Sequence, residues 1–306
     1  MPDYTIAMPV RNEANTLADS LLSALKQSAP PLEVLVSISG SDDGSMSIAR
    51  RFEGEYKNVR VIESELGMPK ALNKLIEEAT TDYIIFMDGD GKADVDAARI
   101  MLQEINPDNG IYAISAAHSH TAPKGNILRR LFWYRPAEPQ IQECMTGNLN
   151  LLSIRDVTRT GQEKGVKIYP DDIINYDVLL TYVLFGHYQS SKGAYVTIQP
   201  IASLRDYFSA VKRLAMTLHQ IKTQYPHLYQ RVDEETATFR DMDHWQEWKA
   251  LESTTEKLLA PIIWGFKRII MEGLEKVATI QAIREYYTKG APEMWKRLTS
   301  TKQPFD

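Results

Sequence analysis

A chain of 306 residues, 43% hydrophobic and 25% charged, is long enough to bury a sizeable core and is not disordered, collagen-like or disulfide-stapled. Its 35 Lys and Arg against 40 Asp and Glu leave a formal net charge of -5, so no global basic field exists to hold nucleic acid. The single cysteine, Cys144, excludes an intramolecular disulfide and a Cys-rich zinc site and suits a reducing cytoplasm.

The first third alternates between two hydrophobic periods. Tyr4 to Val10 is a short apolar run and predicts a buried strand. Asn15 is placed to cap a helix whose Leu17, Leu21, Leu22 and Leu25 form one stripe. Val34 to Ile38 predicts a second strand, followed by the turn-rich Ser39-Gly40-Ser41-Asp42-Asp43-Gly44 and a helix carrying Ile48, Ala49 and Phe52. Val59 to Ile62 and Tyr83 to Met87 predict two more strands, separated by a helix with Ala71, Leu72, Leu75, Ile76 and Ala79. Val95, Ala98, Met101, Leu102 and Ile105 mark a further helix, and Ile111 to Ala116 starts another strand. Strands apolar throughout are covered on both faces, so an α/β architecture with a mostly parallel sheet is expected. Ligands in such folds bind at the carboxyl ends of the strands.

From about Arg205 strand signals stop and helical spacing takes over. The expected organisation is an α/β domain over residues 1–204 and a helical extension over 205–306, with Pro226, Pro261 and Pro292 breaking the extension into pieces. No leader is expected, because Tyr4 follows Met1 with no basic region between, and no apolar run reaches the about 20 residues a spanning helix needs. Leu258 to Phe266, followed by Lys267 and Arg268, reads first as a helix packed on the core and second as a membrane-surface helix. The compartment expected is the cytoplasm, with peripheral contact at the inner membrane face or self-association through these helices as further readings.

Three strand ends carry the chemistry: Pro9-Val10-Arg11-Asn12-Glu13, Ser39 to Ser45, and Asp88-Gly89-Asp90. Two carboxylates after an apolar strand suit one hard divalent cation that bridges a diphosphate, and Gly89 between them allows close backbone approach. His118 and His120 alternate as residues on one strand face would, but no third ligand has suggestive spacing, so a polar loop is expected rather than a zinc site. Cys144 reads as a small buried residue, Trp133-Tyr134-Arg135 as packing, and Asp241-Met242-Asp243 as a solvated face.

Taken in order, these strand ends, with Gly67, Ala71-Leu72-Asn73, Asp82 to Asp90 and Thr146-Gly147-Asn148, resemble the family 2 glycosyltransferases of the nucleotide-diphospho-sugar transferase (GT-A) fold. The resemblance covers roughly residues 4 to 200; Trp295 to Lys302 adds a weaker likeness to tails of some members. It implies inverting transfer of a sugar from a nucleotide donor, a UDP-sugar by default, to an acceptor hydroxyl. Positions Pro9, Val10, Arg11, Asn12 and Glu13, with Ser39, Gly67, Lys70, Asp88 and Gly89, would hold the nucleotide. Asp90, with Asp88, would hold Mn²⁺ or Mg²⁺, and Gly147 and Asn148 would cradle the donor sugar or acceptor. The family's base comes from an acidic pair ahead of a helix ending in glycine. Here that pair reads Tyr176-Asp177 before Gly186, so Asp177 is the expected base, and the shortened spacing keeps Asp172 as its rival.

Three departures stand out: Ile38-Ser39 replaces a frequent acid at the second strand's end, Met68 stands where a lysine is common, and no late histidine is found near Tyr195-Val196-Thr197. The acceptor is left open among glycan, lipid-linked sugar, peptide and small metabolite. A nucleotidyltransferase of similar fold and a catalytically silent nucleotide-sugar-binding scaffold are the alternatives.

Overall fold

A computed structural model describes residues 1–121, 125–132, 145, 147–201, 203–235 and 254–289. Strand β1 (Tyr4–Val10) is buried along its whole length, as its unbroken apolar run predicts. It sits between β2 (Glu33–Ile38) and β4 (Tyr83–Met87), parallel to both, and β3 (Val59–Glu63) extends β2 in the same direction. The intervening helices are α1 (Leu17–Leu25), α2 (Ser45–Glu55) and α3 (Met68–Glu78).

Period-two alternation assigns each strand residue to one of two cores. Ile6, Met8, Val34, Val36, Ile85 and Met87 face one side, where Leu17, Leu21, Phe52 and Met101 pack. Ala7, Leu35, Ile84 and Phe86 face the other, against Leu72, Leu75, Leu179 and Leu180. Covering both faces leaves the strand ends as the place where polar loops gather.

Beyond β4 the sheet departs from the parallel expectation. After β5 (Lys92–Ala93) and α4 (Ala97–Glu104) come β6 (Ala113–His120), α5 (Ile127–Phe132), β7 (Leu149–Ser153), α6 (Ile154–Glu163), α7 (Tyr176–Val183) and β8 (Tyr188–Ile198). The order is β3-β2-β1-β4-β7-β6-β8-β5. Strand β7 runs antiparallel between β4 and β6, and β5 runs antiparallel to β8, while β6 and β8 are parallel. The sheet is therefore mixed. Strand β7 has Asn150 at its second position and Ser153 at its last, which leaves no continuous apolar run to announce it. His118 and His120 lie on β6 rather than in a loop, and His118 is buried.

The chain then turns helical: α8 (Leu204–Gln224), α9 (Pro226–Glu235) and α10 (Thr254–Lys289). Pro226 opens α9, where its missing N–H costs nothing. Pro261, expected as a break, lies inside the 36-residue α10. It sits on the exposed side, while Ala260 and Trp264 pack on Leu131 of α5 and hold the helix together around it. Trp264 Nε1 donates to the Leu131 carbonyl at 2.9 Å. Ile221 of α8 and Leu228 of α9 join the core beneath the sheet, so these two helices belong to the α/β body's own packing. Among the described residues no helix is long and apolar enough to cross a membrane. Cys144, Thr146, Trp133 to Arg135, Asp241 to Asp243, Pro292 and Trp295 to Lys302 lie outside the described residues.

Candidate active site

A cavity of about 380 Å³ opens where the carboxyl ends of β1, β2 and β4 meet the start of α7 and the middle of α8. At the first end it is lined by Pro9, Val10, Arg11, Glu13, Ser39, Asp88, Gly89 and Asp90. At the second stand Gly147, Asn148, Ile174 to Asp177, His120, Ile198 to Ile201 and Arg213.

The first end is a net of short-range ties. Asn12 adopts a left-handed backbone (φ 56°), a conformation Asn tolerates. Its N–H donates to Ser41 Oγ at 3.0 Å, and its Oδ1 accepts from Asp42 N–H at 2.9 Å. The Glu13 N–H donates to Ser45 Oγ at 2.7 Å and the Ala14 N–H to Asp43 Oδ2 at 2.9 Å. The helix start expected at Asn15 shifts by one residue to Thr16, whose hydroxyl donates to the Gly89 carbonyl at 3.1 Å rather than capping α1. Ser20 Oγ donates to the same carbonyl at 2.9 Å. A Cβ on Gly89 would lie 3.0 Å from Glu13 Cγ and 3.2 Å from Val10 Cγ2, so any larger residue would push these side chains aside by a few tenths of an ångström.

Asp88, Asp90 and Asp177 all line this cavity. Burial, then the charges of Asp90 and Asp177, pushes the Asp88 carboxyl well above the usual carboxylate range. Asp177 is also raised by burial, opposed by N–H donors from Val178 (2.9 Å) and Gly147 (3.2 Å) and by the Arg213 charge. Consecutive residues bridge the acids: Gly147 N–H holds Asp177 Oδ2, and Asn148 Nδ2 donates to Asp88 Oδ2 at 3.2 Å. Gathered like charges of this kind are costly unless a proton or a cation relieves them. Asp88 and Asp90 put two carboxylates on an open cavity, a donor set that suits a hard cation such as Mg²⁺ or Mn²⁺; among the described residues no group of three His, Cys, Asp or Glu gathers to hold one. Hard cations of this class are bound by one or two carboxylates, with substrate phosphates completing the shell.

Tyr176, standing where the family's first acid is expected, is structural. It is buried, its phenol is pushed well above the ordinary range by burial and by Asp88 and Asp177, and its Oη donates to the Gly147 carbonyl at 3.2 Å. A Cβ on Gly147 would come within 2.6 Å of that oxygen.

Asp177 lines the cavity and its rival does not. Asp172 is exposed, with Oδ2 accepting from Gln224 Nε2 at 3.2 Å and its carbonyl from Gln220. Asn12, Gly67 and Lys70 also fall outside the lining: Asn12 braces two loops, Gly67 precedes α3 with φ 129°, and Lys70 pairs with Glu65. The Ser39 hydroxyl donates to the Glu65 carbonyl at 2.8 Å, so it too is engaged within the fold. Sequence reasoning missed His120, Gln199 and Arg213. Arg213 had a signal: it shares a helical face with buried Met216, Thr217, Gln220 and Ile221, an unusual place for a cation.

Comparison with known proteins agrees with this architecture. Residues 5–153 match the model of glycosyl transferase family 2. A glycosyltransferase AglE of Haloferax volcanii is 34% identical over 94 residues, 29% of this chain and 31% of that protein. A poly-beta-1,6-N-acetyl-D-glucosamine synthase of Staphylococcus epidermidis is 24% identical over 179 residues, 56% of this chain and 43% of that protein. The chain thus spans less than half the length of these curated relatives. The solved mannosyltransferase PcManGT of Pyrobaculum calidifontis, in complex with GDP-Man and Mn²⁺, superposes with a TM-score of 0.58 at 17% identity, over 94% of this chain and 89% of that one. Residues 5–153 thus match the family 2 glycosyltransferases, and the chain as a whole shares the GT-A fold of the solved mannosyltransferase.

Proposed function

We propose that the chain is an inverting, metal-dependent glycosyltransferase that moves a sugar from a nucleoside-diphosphate donor to an acceptor hydroxyl. The observation that carries this reading is the Gly147-Asn148 bridge, which holds Asp177 by one residue and Asp88 by the next. The nucleotide lies across Pro9, Val10, Arg11 and Gly89, with its diphosphate toward Asp88 and Asp90. A bound Mn²⁺ or Mg²⁺ held by these two carboxylates would neutralise the charge gathering on the departing diphosphate. Asp177 takes the proton from the acceptor hydroxyl, and its raised affinity for protons brings it nearer to the pH at which it works. Attack from the side away from the diphosphate inverts the anomeric centre.

The donor is a UDP-sugar by default. Because Ser39 replaces a carboxylate that would contact uracil, and because the mannosyltransferase of similar fold holds GDP-Man, guanosine donors belong in the same test. The test is a thermal-shift and hydrolysis screen of UDP- and GDP-sugars with and without Mn²⁺. A donor at 100 times its Kd stabilises the fold by about 2.7 kcal/mol. A metal-dependent shift with slow donor hydrolysis is the expected result. The absence of any nucleotide-sugar shift, with or without metal, would remove the proposal, and binding without hydrolysis or transfer would favour a silent scaffold.

A further inference from the structure

Arg213 has no task in the chemistry above. It enters the cavity from α8, and its Nε is buried with no hydrogen-bond partner among the described residues. A buried polar group left in that state costs about 1–3 kcal/mol, and more when charged. An anion bound in the cavity would supply that partner.

Two anions compete for that role. The donor's diphosphate belongs over Asp88 and Asp90, which follow β4. Arg213 and Asp177 do feel one another, but no ion pair joins them among the described residues. Arg213 enters from α8, which packs against α7, the helix with Asp177 in its first turn, whereas Asp88 and Asp90 follow β4. The acceptor hydroxyl must arrive beside Asp177 if Asp177 is the base. Arg213 shares its end of the cavity with Asp177, while Arg11 stands with Asp88 and Asp90 at the other. A guanidinium fork matches phosphate or carboxylate oxygens by paired N–H donors.

We propose that the acceptor is anionic and presents an oxyanion, phosphate or carboxylate, to Arg213 while its hydroxyl faces Asp177. The inference rests on the glycosyltransferase reading and narrows its acceptor to charged molecules, either a soluble sugar acid or phosphate, or a lipid with a phosphate headgroup.

The test is calorimetric titration of the wild-type chain, saturated with UDP or GDP and Mn²⁺, by inorganic phosphate, glucose 1-phosphate, glucuronate, decyl phosphate and glucose. At least one anionic probe should bind the nucleotide-loaded protein tenfold or more tightly than glucose does. Arg213→Met should weaken that probe by about tenfold or more, Arg213→Lys should recover part of the loss, and nucleotide affinity should stay within about twofold in both variants. Preference for decyl phosphate assigns the oxyanion to a lipid, and preference for glucose 1-phosphate or glucuronate to a soluble acceptor. The inference is overturned if no anionic probe binds the loaded protein, or if nucleotide expels them all. It is equally overturned if Arg213→Met weakens nucleotide binding tenfold, since Arg213 then holds the donor. Those failures leave nucleotide binding by the wild type intact; loss of nucleotide binding in the wild type itself would instead remove the underlying reading.

Discussion

The two ends of the cavity are built by different means. At the β1–β2–β4 end, parallel neighbours bring three loops together, and hydrogen bonds from Asn12, Glu13 and Thr16, with Ser20 of α1, stitch them to one another. At the α7–α8 end, the groups come from the turn before β7, the start of α7, the end of β8 and the body of α8. The first end is set by the order of the parallel strands and by those hydrogen bonds. The second exists only after an antiparallel strand and a C-terminal helix have docked, and Gly147-Asn148 is the seam between them.

The largest effect should come from the first end. Asp90→Ala removes a carboxylate that follows the strand rather than lying within it, so the fold should survive while transfer falls on the order of 10³-fold. Assays with Mn²⁺ titrated up to millimolar levels would check this; activity within a few-fold of wild type would remove the metal assignment.

Acid sensitivity should lie in the other half of the sheet. Burial pushes His118 on β6 down to about 4, against about 6.5 when unfolded, so the folded protein keeps it neutral. The unfolded chain binds the extra proton between these values, so stability is complete above pH 6.5 and declines as pH falls toward 4. The loss is on the order of 3 kcal/mol over that window. Chemical denaturation of wild type and His118→Gln from pH 7 to 4 should show a flatter profile in the variant.

At the seam, Gly147→Ala drives a methyl into the Tyr176 hydroxyl and displaces the N–H that holds Asp177. Misplacement of this size should cost about 10²-fold in transfer, with nucleotide affinity far less affected. The smallest effect belongs to Lys70, expected from sequence to hold the nucleotide but found outside the cavity, paired with Glu65. Lys70→Ala should change nucleotide affinity by less than about twofold.

The same contrast accounts for what was legible. Tyr4–Val10 and Tyr83–Met87 were readable to the residue because strands covered on both faces must be apolar throughout, and runs this short and this apolar fit few elements besides a buried strand. The motif residues of the first end follow those runs directly in sequence. The second half of the sheet was not readable in this way: β8 opens with the polar run Gln189 to Lys192 and has a register shift opposite Ser115 and Ala117, and β7 is interrupted by Asn150. Arg213 lies far along the chain from the residues it joins, so its helical stripe marked it as unusual without saying where it points. The choice between Asp177 and Asp172 was open for a similar reason: spacing to Gly186 counts residues, whereas docking of α8 through Gln220 and Gln224 decides which carboxylate is turned outward.

That choice is also where the account is most directly tested. Asp177→Asn and Asp172→Asn are to be compared for sugar transfer and for Mn²⁺-dependent nucleotide binding. Asp177→Asn should lose about 10²–10⁴-fold in turnover while still binding nucleotide, because the carboxylate serves the acceptor rather than the diphosphate. Asp172→Asn should transfer within about twofold of wild type. An inactive Asp172→Asn beside an active Asp177→Asn would contradict the account.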